Sequence, residues 1–403
     1  MKKGLAILFL FFSSLSFSQI TLEGSVVSSD NKPLEGASVY FNNTTIGTIT
    51  NANGKFNLKV KEGNYLLIVS FLGYQTKQLS INSKNKNQKI KVILEEETNV
   101  LNEVIVKKIV YDHVWKNNLI HFKRAFLGKS AAAQKCKILN EKDLYFSYDH
   151  DTNTFKAFSK KKLLIKNKEL GYIITYDLVD FIMHDDKLFF SGYAQFKDLR
   201  KKVRSKYHRN RIKAFNGSRM HFLRSLLEHK TEKEGFIIHQ FNRIKNPERP
   251  TDEAIELARK VIKPIYHKVD FNKTIIQPKT KIDSALITLK KASLPRFIDY
   301  ITRKNVSDKN ILQHQESVPY LDFKNFLSII YKYEPEEYNY LKTLPRSQRK
   351  GSGVQTSNIV LLNGKTPIDA HGILEPRATL SEGYWGFEAI GEMLPLDYQP
   401  KKN

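Results

Sequence analysis

Cysteine is almost absent: Cys136 stands alone in 403 residues. A disulfide-stapled fold is therefore excluded, and a lone cysteine reads as a small buried hydrophobe. Thirteen prolines and nineteen glycines are too few for a collagen-like or linker-dominated chain. No stretch of eighteen apolar residues occurs in the sequence, so no membrane-spanning helix is expected in the mature chain. The sequence also lacks His-Glu-x-x-His, Gly-x-Ser-x-Gly and a phosphate loop ending in Gly-Lys-Ser, which removes the commonest readable hydrolase and nucleotide sites. Acids are scarce as well, 41 Asp and Glu against 66 Lys and Arg, for a net charge of +25. That excess favours anionic partners: nucleic acid, anionic lipid or an acidic polymer. With 41% hydrophobic and 27% charged residues, the composition is otherwise globular, with material for more than one core.

The N-terminus selects among those partners. Met1-Lys2-Lys3 is a short positive region, Leu5–Phe12 an apolar one, and Ser13–Ser18 relaxes into small residues. This is the pattern of a signal peptide over 1–18, with Gln19 as the new N-terminus. Export to the periplasm, outer membrane or cell surface leaves no role for nucleic acid. It leaves an envelope protein or an anionic surface polymer or lipid as partner, with peripheral membrane association compatible. No cysteine lies near the cleavage point, so no lipoprotein anchor is expected.

Residues 19–97 read as about seven short strands separated by turn residues. Phe56, Leu58 and Val60 alternate, Tyr65–Phe71 is a continuous apolar run, and Asn53-Gly54 supplies a tight turn. The spacing predicts a small antiparallel sandwich. Four segments carry a resemblance: Glu23–Val27, Pro33–Val39, Gly47–Phe56 and Val69–Tyr74. In order and in register, they resemble the carboxypeptidase-regulatory-like domain, a transthyretin-type β-sandwich. In its relatives that domain is a non-catalytic module, beside metallocarboxypeptidase domains or at the front of TonB-dependent outer-membrane receptors. The resemblance thus implies an envelope scaffold. Leu101–Val106, within a linker at 98–107, is similar to the TonB-contacting segment of those receptors; its plain reading is an ordinary linker strand or a helix start. About 300 residues follow, too few for a plug and a barrel of some 22 strands.

Residues 108–403 predict a larger α+β domain. A helix is expected over 109–122, and hairpin strands over 172–183 and 188–196. Helices are expected near 200–228 and 251–261, with later strands at 236–241, 297–302, 326–333 and 358–362. Charged helices between the strands argue against a membrane barrel. Ala125–Gly128, Leu170-Gly171-Tyr172, Ala214–Ser218 and Met393–Tyr398 make this part similar to exported proteins that join the same sandwich to a C-terminal domain. No activity comes with that likeness.

Candidate chemistry is sparse. His229 and Glu232, with His371 far along the chain, have the spacing of a metallocarboxypeptidase zinc site. They stand in a highly charged helix end that runs into Gly235, and they read as polar side chains at the surface. Gly351-Ser352-Gly353 after Arg346, Arg349 and Lys350 reads as a basic loop. His184-Asp185-Asp186 and Asp149-His150-Asp151 read as hairpin turns. No cofactor and no metal are expected. The strongest local anomaly is a run from Arg200 to Lys213 with eight Lys or Arg and no acid. As a helix it would place Val203, Tyr207 and Ile212 on a narrow apolar seam. Arg204, Lys206, Arg209, Arg211 and Lys213 would form a cationic, anion-binding face; the plain alternative is a solvated surface. These observations favour a non-enzymatic envelope interaction protein. The alternative is an exported, metallocarboxypeptidase-like hydrolase with an unrecognised site.

Overall fold

The computed structural model describes residues 20–400 apart from 62, 83–88, 98–108, 186, 272–274, 317, 346–348, 350–352, 370 and 376. The expected signal peptide, the linker segment Leu101–Val106 and the Gly351-Ser352 turn lie outside the described residues.

The first seven strands are β1 (Ile20–Ser28), β2 (Ser38–Phe41), β3 (Gly47–Ile49), β4 (Lys55–Val60), β5 (Asn64–Ser70), β6 (Lys77–Asn82) and β7 (Lys89–Leu94). They form a three-stranded sheet, β4-β1-β7, and a four-stranded sheet, β3-β2-β5-β6. Both contribute to one core, in which Val26, Val39, Phe41, Leu67, Val69 and Leu94 are fully enclosed. Strict alternation in β4, with Phe56, Leu58 and Val60 inward, sets its register against β1. Gly54 has φ +68°, and a side chain there would meet the Val26 carbonyl at 2.5 Å, so glycine is required at this turn. The expectation of an antiparallel sandwich needs one correction: β7 runs parallel to β1, from Glu23↔Lys89 to Ser28↔Leu94. The alternation of a strand fixes which face is buried; it carries no information on which neighbour it joins.

The rest of the chain begins with α1 (His113–Phe126), capped by Asp112, whose carboxylate accepts from the Trp115 N–H at 2.8 Å. Then come β8 (Cys136–Ile138), β9 (Leu144–Asp149), β10 (Thr154–Ser159), β11 (Leu163–Asn167), β12 (Tyr172–His184) and β13 (Lys187–Asp198). These six strands form one antiparallel sheet, ordered β8-β11-β12-β10-β9, with β13 paired to β12. Helix α1 covers it. Phe122 and Phe126 stack at 4.9 Å and meet Phe181 and Tyr176 edge-on, each buried ring contributing about 2 kcal/mol.

Two helices follow, α2 (Ser205–Phe215) and α3 (Arg219–Leu227), then β14 (Phe236–Lys245), α4 (Asp252–Ile262), α5 (Lys281–Lys291), β15 (Phe297–Arg303), β16 (Leu312–Gln315), β17 (Val318–Leu321) and β18 (Phe326–Pro335). The chain continues through α6 (Tyr338–Thr343), β19 (Val354–Leu361), β20 (Thr366–Pro367), β21 (Thr379–Gly383) and α7 (Tyr384–Phe387). A five-stranded sheet, β15-β14-β18-β19-β21, and a small sheet, β16-β17-β20, complete the fold. The β-rich N-terminal part is thus followed by a mixed region with helices. Phe222, Leu223 and Leu226 of α3 join Trp385 in the core over the five-stranded sheet, whereas Phe215 of α2 belongs to the core under α1. The α2–α3 corner therefore bridges the two sheets. Gly217 makes that corner at φ +73°, and its carbonyl accepts the Trp385 indole N–H at 2.8 Å. Ser218 caps α3, accepting from the His221 N–H at 3.2 Å.

Candidate functional site

The cationic run folds as a helix only from Ser205 onward. No acid stands in its first turn, and its N-cap, Arg204, makes no side-chain cap bond. Its buried positions are Tyr207, Arg211 and Phe215, an i, i+4, i+8 stripe that an α-helix keeps on one face. The expected seam of Val203, Tyr207 and Ile212 is corrected accordingly, and so is the expected cationic face. Arg211 points inward. Its Nε donates to the Leu170 carbonyl at 2.8 Å, and one terminal nitrogen donates to the Gly171 carbonyl at 3.3 Å and to Asp198 at 2.5 Å. The guanidinium lies 3.7 Å from the centre of the Tyr172 ring. Arg211 therefore pins α2 to the turn between β11 and β12. Gly171 permits the close approach: at φ +75°, a side chain there would meet the Tyr207 ring at 2.4 Å. Arg204, Lys206, Arg209 and Lys213 remain on the outer face, exposed, beside Arg200, Lys201 and Lys202.

Below the helix a 230 Å³ cleft opens, lined by Tyr172, Asp198, His208, Ile212, Asp397 and Tyr398 among others. Thr45 of the N-terminal part also lines it. The segment after β2 lies along β13: Asn43 N–H donates to the Ala194 carbonyl at 2.6 Å, and Phe196 N–H to the Thr44 carbonyl at 2.9 Å. The Thr45 N–H donates to Asp397 at 2.9 Å, and the Thr45 hydroxyl binds the same carboxylate. Arg224 holds the C-terminal segment, donating to the carbonyls of His371, Leu396 and Tyr398 at 2.7 to 2.9 Å. Three distant stretches of sequence thus meet here, and no local motif announces it.

His371 lies at the same junction, its ring 4.8 Å from that of Tyr65. Burial holds its imidazole below the usual value, while the Tyr65 phenol is pushed up to about 12 by burial, with Asp397 and Asp369 adding to the effect. Asp369, raised by burial, accepts the N–H groups of His371 and Ile373 at 2.9 Å each. His229, by contrast, is exposed in a left-handed turn at φ +54°, and Glu232 is exposed. Among the described residues no three His, Cys, Asp or Glu side chains form a group able to hold a metal ion. Burial pushes the Cys136 thiol up to about 12, far from the range of a reactive thiolate. Asp185 occupies a left-handed turn position, and Asp149 accepts the Asp151 N–H at 2.9 Å. Among the described residues no helix is long and apolar enough to cross a membrane.

Residues 22–106 match the model of the CarboxypepD_reg-like domain, and the N-terminal part of the chain is that domain. It is shared with SusC-like receptors. Over 111 residues the chain is 39% identical to the TonB-dependent receptor SusC of Bacteroides thetaiotaomicron, covering 27% of this chain and 10% of the receptor. Over 108 residues it is 32% identical to the TonB-dependent receptor P39 of Formosa agariphila, covering 26% and 10%. The chain therefore spans about a tenth of the length of the curated relatives it matches. These relatives are receptors, not peptidases. Among solved structures, a DUF3823 family protein from Bacteroides ovatus aligns at 8% identity, covering 46% of this chain and 83% of that one, with a TM-score of 0.17. A membrane-associated protein of unknown function from Bacteroides fragilis aligns at 9% identity, covering 91% and 95%, with a TM-score of 0.16. Scores this low carry no argument.

Proposed function

We propose that the chain is an exported, non-enzymatic interaction protein of the cell envelope, acting in the periplasm or at the outer membrane. Its expected parts are a signal peptide over 1–18, a transthyretin-type sandwich over 19–97, a linker over 98–107 and an α+β domain over 108–403. The observation that carries the reading is the CarboxypepD_reg-like domain, shared with TonB-dependent receptors. The outer face of α2 supports it, because Arg204, Lys206, Arg209 and Lys213 are exposed and suit an anionic envelope polymer, lipid or protein. Such contacts are salt-sensitive.

The test is co-sedimentation of the chain from Gln19 onward with outer-membrane vesicles and with peptidoglycan, across a salt series. The variant changes Arg204, Lys206, Arg209 and Lys213 to Gln and leaves Arg211 in place. Binding that weakens with salt and is lost in the variant is the expected result. Identical behaviour of the two proteins would remove α2 as the working surface.

A further inference from the structure

Residues 246–296 leave the five-stranded sheet and return to its edge at adjacent points, since Lys245 of β14 pairs with Phe297 of β15. The excursion adds nothing to the sheet. It folds as the α4–α5 hairpin on a small core of its own: Ala258, Ile262, Ala285 and Leu286. Its neck is clasped shut by contacts between its own two strands of chain. Asn246 N–H donates to the Arg296 carbonyl at 2.9 Å, and Asp252 pairs with Arg249 at 3.0 Å and Arg296 at 3.3 Å.

Helix α4 is polarised along its length, whereas α5 carries Asp283 in its first turn and Lys290 and Lys291 in its last. Acids Asp252 and Glu253 occupy the first turn of α4 at the neck, while Arg259 and Lys260 occupy its last turn. From Leu257 to Asp283 seven Lys or Arg stand against two acids, Asp270 and Asp283. Neither Arg259 nor Lys263 has an ion-pair partner among the described residues. The same distal part turns apolar side chains to solvent: Leu257 is 63% exposed, Tyr266 58% and Ile276 92%. Beside them Ile262, Tyr266, Phe271 and Leu289 line a 420 Å³ groove together with Arg259, Lys263 and the ion pair of Lys260 with Glu256. Apolar residues interleaved with unpaired cations on a projecting helical element fit an interface between hydrocarbon and anionic headgroups, where each kind of side chain finds its own environment. A protein partner of ordinary polarity would leave the cations uncompensated.

We propose that the distal end of the α4–α5 hairpin docks shallowly onto an anionic lipid bilayer, with Leu257, Tyr266 and Ile276 entering the headgroup boundary and Arg259 and Lys263 contacting phosphates. This goes beyond the envelope reading above: it names a second surface, separate from α2, and its partner.

Flotation with vesicles of phosphatidylcholine, with and without phosphatidylglycerol, tests the assignment on the chain from Gln19 onward, so that the apolar run Leu5–Phe12 is absent. The wild type floats with the phosphatidylglycerol vesicles only. Leu257→Ser with Ile276→Ser, both exposed positions, lowers the partition by about tenfold with an unchanged thermal transition. Arg259→Gln with Lys263→Gln lowers it chiefly at low salt. The four-residue α2 variant floats like wild type, so this proposal and the α2 reading fail separately. Equal binding to neutral vesicles, or full binding by the Leu257/Ile276 variant, would overturn the proposal. So would a wild-type dimer that ignores vesicles and becomes a monomer in that variant, which would give the face to a second copy of the chain.

Discussion

Helix α2 and the α4–α5 hairpin carry comparable positive charge and treat their apolar surface in opposite ways. Helix α2 spends its stripe inward: Tyr207 and Phe215 are buried, with Arg211 between them. The hairpin buries little in its own core and leaves Leu257 and Ile276 in solvent. One cationic segment is thus a structural element with a charged outer face, and the other a projection with unburied apolar surface. The difference teaches that charge density does not distinguish the two cases. What distinguishes them is where the neighbouring apolar groups go, and whether the buried charge has partners.

The largest expected effect breaks the comparison at Arg211. Replacing it with Met keeps much of the apolar stem and removes three hydrogen bonds, leaving the Leu170 carbonyl without its donor. Asp198 is partly solvated, so the ion pair itself counts for little. The Gly171 carbonyl keeps the Leu199 N–H, so the loss is set mainly by the abandoned Leu170 carbonyl and the lost packing on Tyr172, about 2 kcal/mol. Urea unfolding followed by tryptophan fluorescence measures it, since Trp115 packs in the region that α1 covers. A change below half that size would mean that α2 is held by Tyr207 and Phe215 alone.

Much of this was legible in the chain and some was not, for reasons that particular residues make plain. The seven N-terminal strands follow from alternation and from turn residues such as Asn53-Gly54. The parallel placement of β7 does not, because pairing is a long-range choice. Spacing alone marks positions 207, 211 and 215 as one helical face, but an arginine at the central position reads as surface until its partners at 170, 171 and 198 are known. Helix α5 was not anticipated, although Thr280 and Asp283 form a capping box at its start. The seat of Thr45 on Asp397 joins residues from opposite ends of the chain, and neither residue type signals it.

A half-buried acid sharpens the same point about partnered charge. Glu392 sits between the loops at 128–133 and 389–392; it accepts from the Ser130 hydroxyl and from the Ala389 N–H at 3.1 Å. Burial outweighs these bonds and pushes the carboxyl up to about 7. A carboxyl raised on folding contributes its stability in full below the unfolded value near 4.5 and loses it as pH rises through about 7. The wild type is therefore expected to lose about 2 kcal/mol relative to Glu392→Gln between those limits. The difference between the two proteins is the quantity to measure. His221 and His371, both lowered by burial, give the opposite slope as pH falls and cancel in the comparison. A flat difference would show that Glu392 is solvated enough to ionise without penalty.

The smallest expected effect is on the outer face of α2. Arg204, Lys206, Arg209 and Lys213 are exposed, and surface changes away from caps and cores stay within about 0.5 kcal/mol. Lys213 faces an acid, Glu334, whose carboxyl burial raises and Lys213 partly lowers. Gln at 213 removes that compensation, so any residual loss should trace to this one position. Single Gln variants assayed by thermal unfolding separate it from the other three. Near-zero stability effects at 204, 206 and 209, against the large loss at 211, would show that one helix with its N-cap holds both a structural arginine and cations free for a partner. Comparable losses at all five positions would mean that the outer face is fixed into the fold, and its charge would then be unavailable for binding.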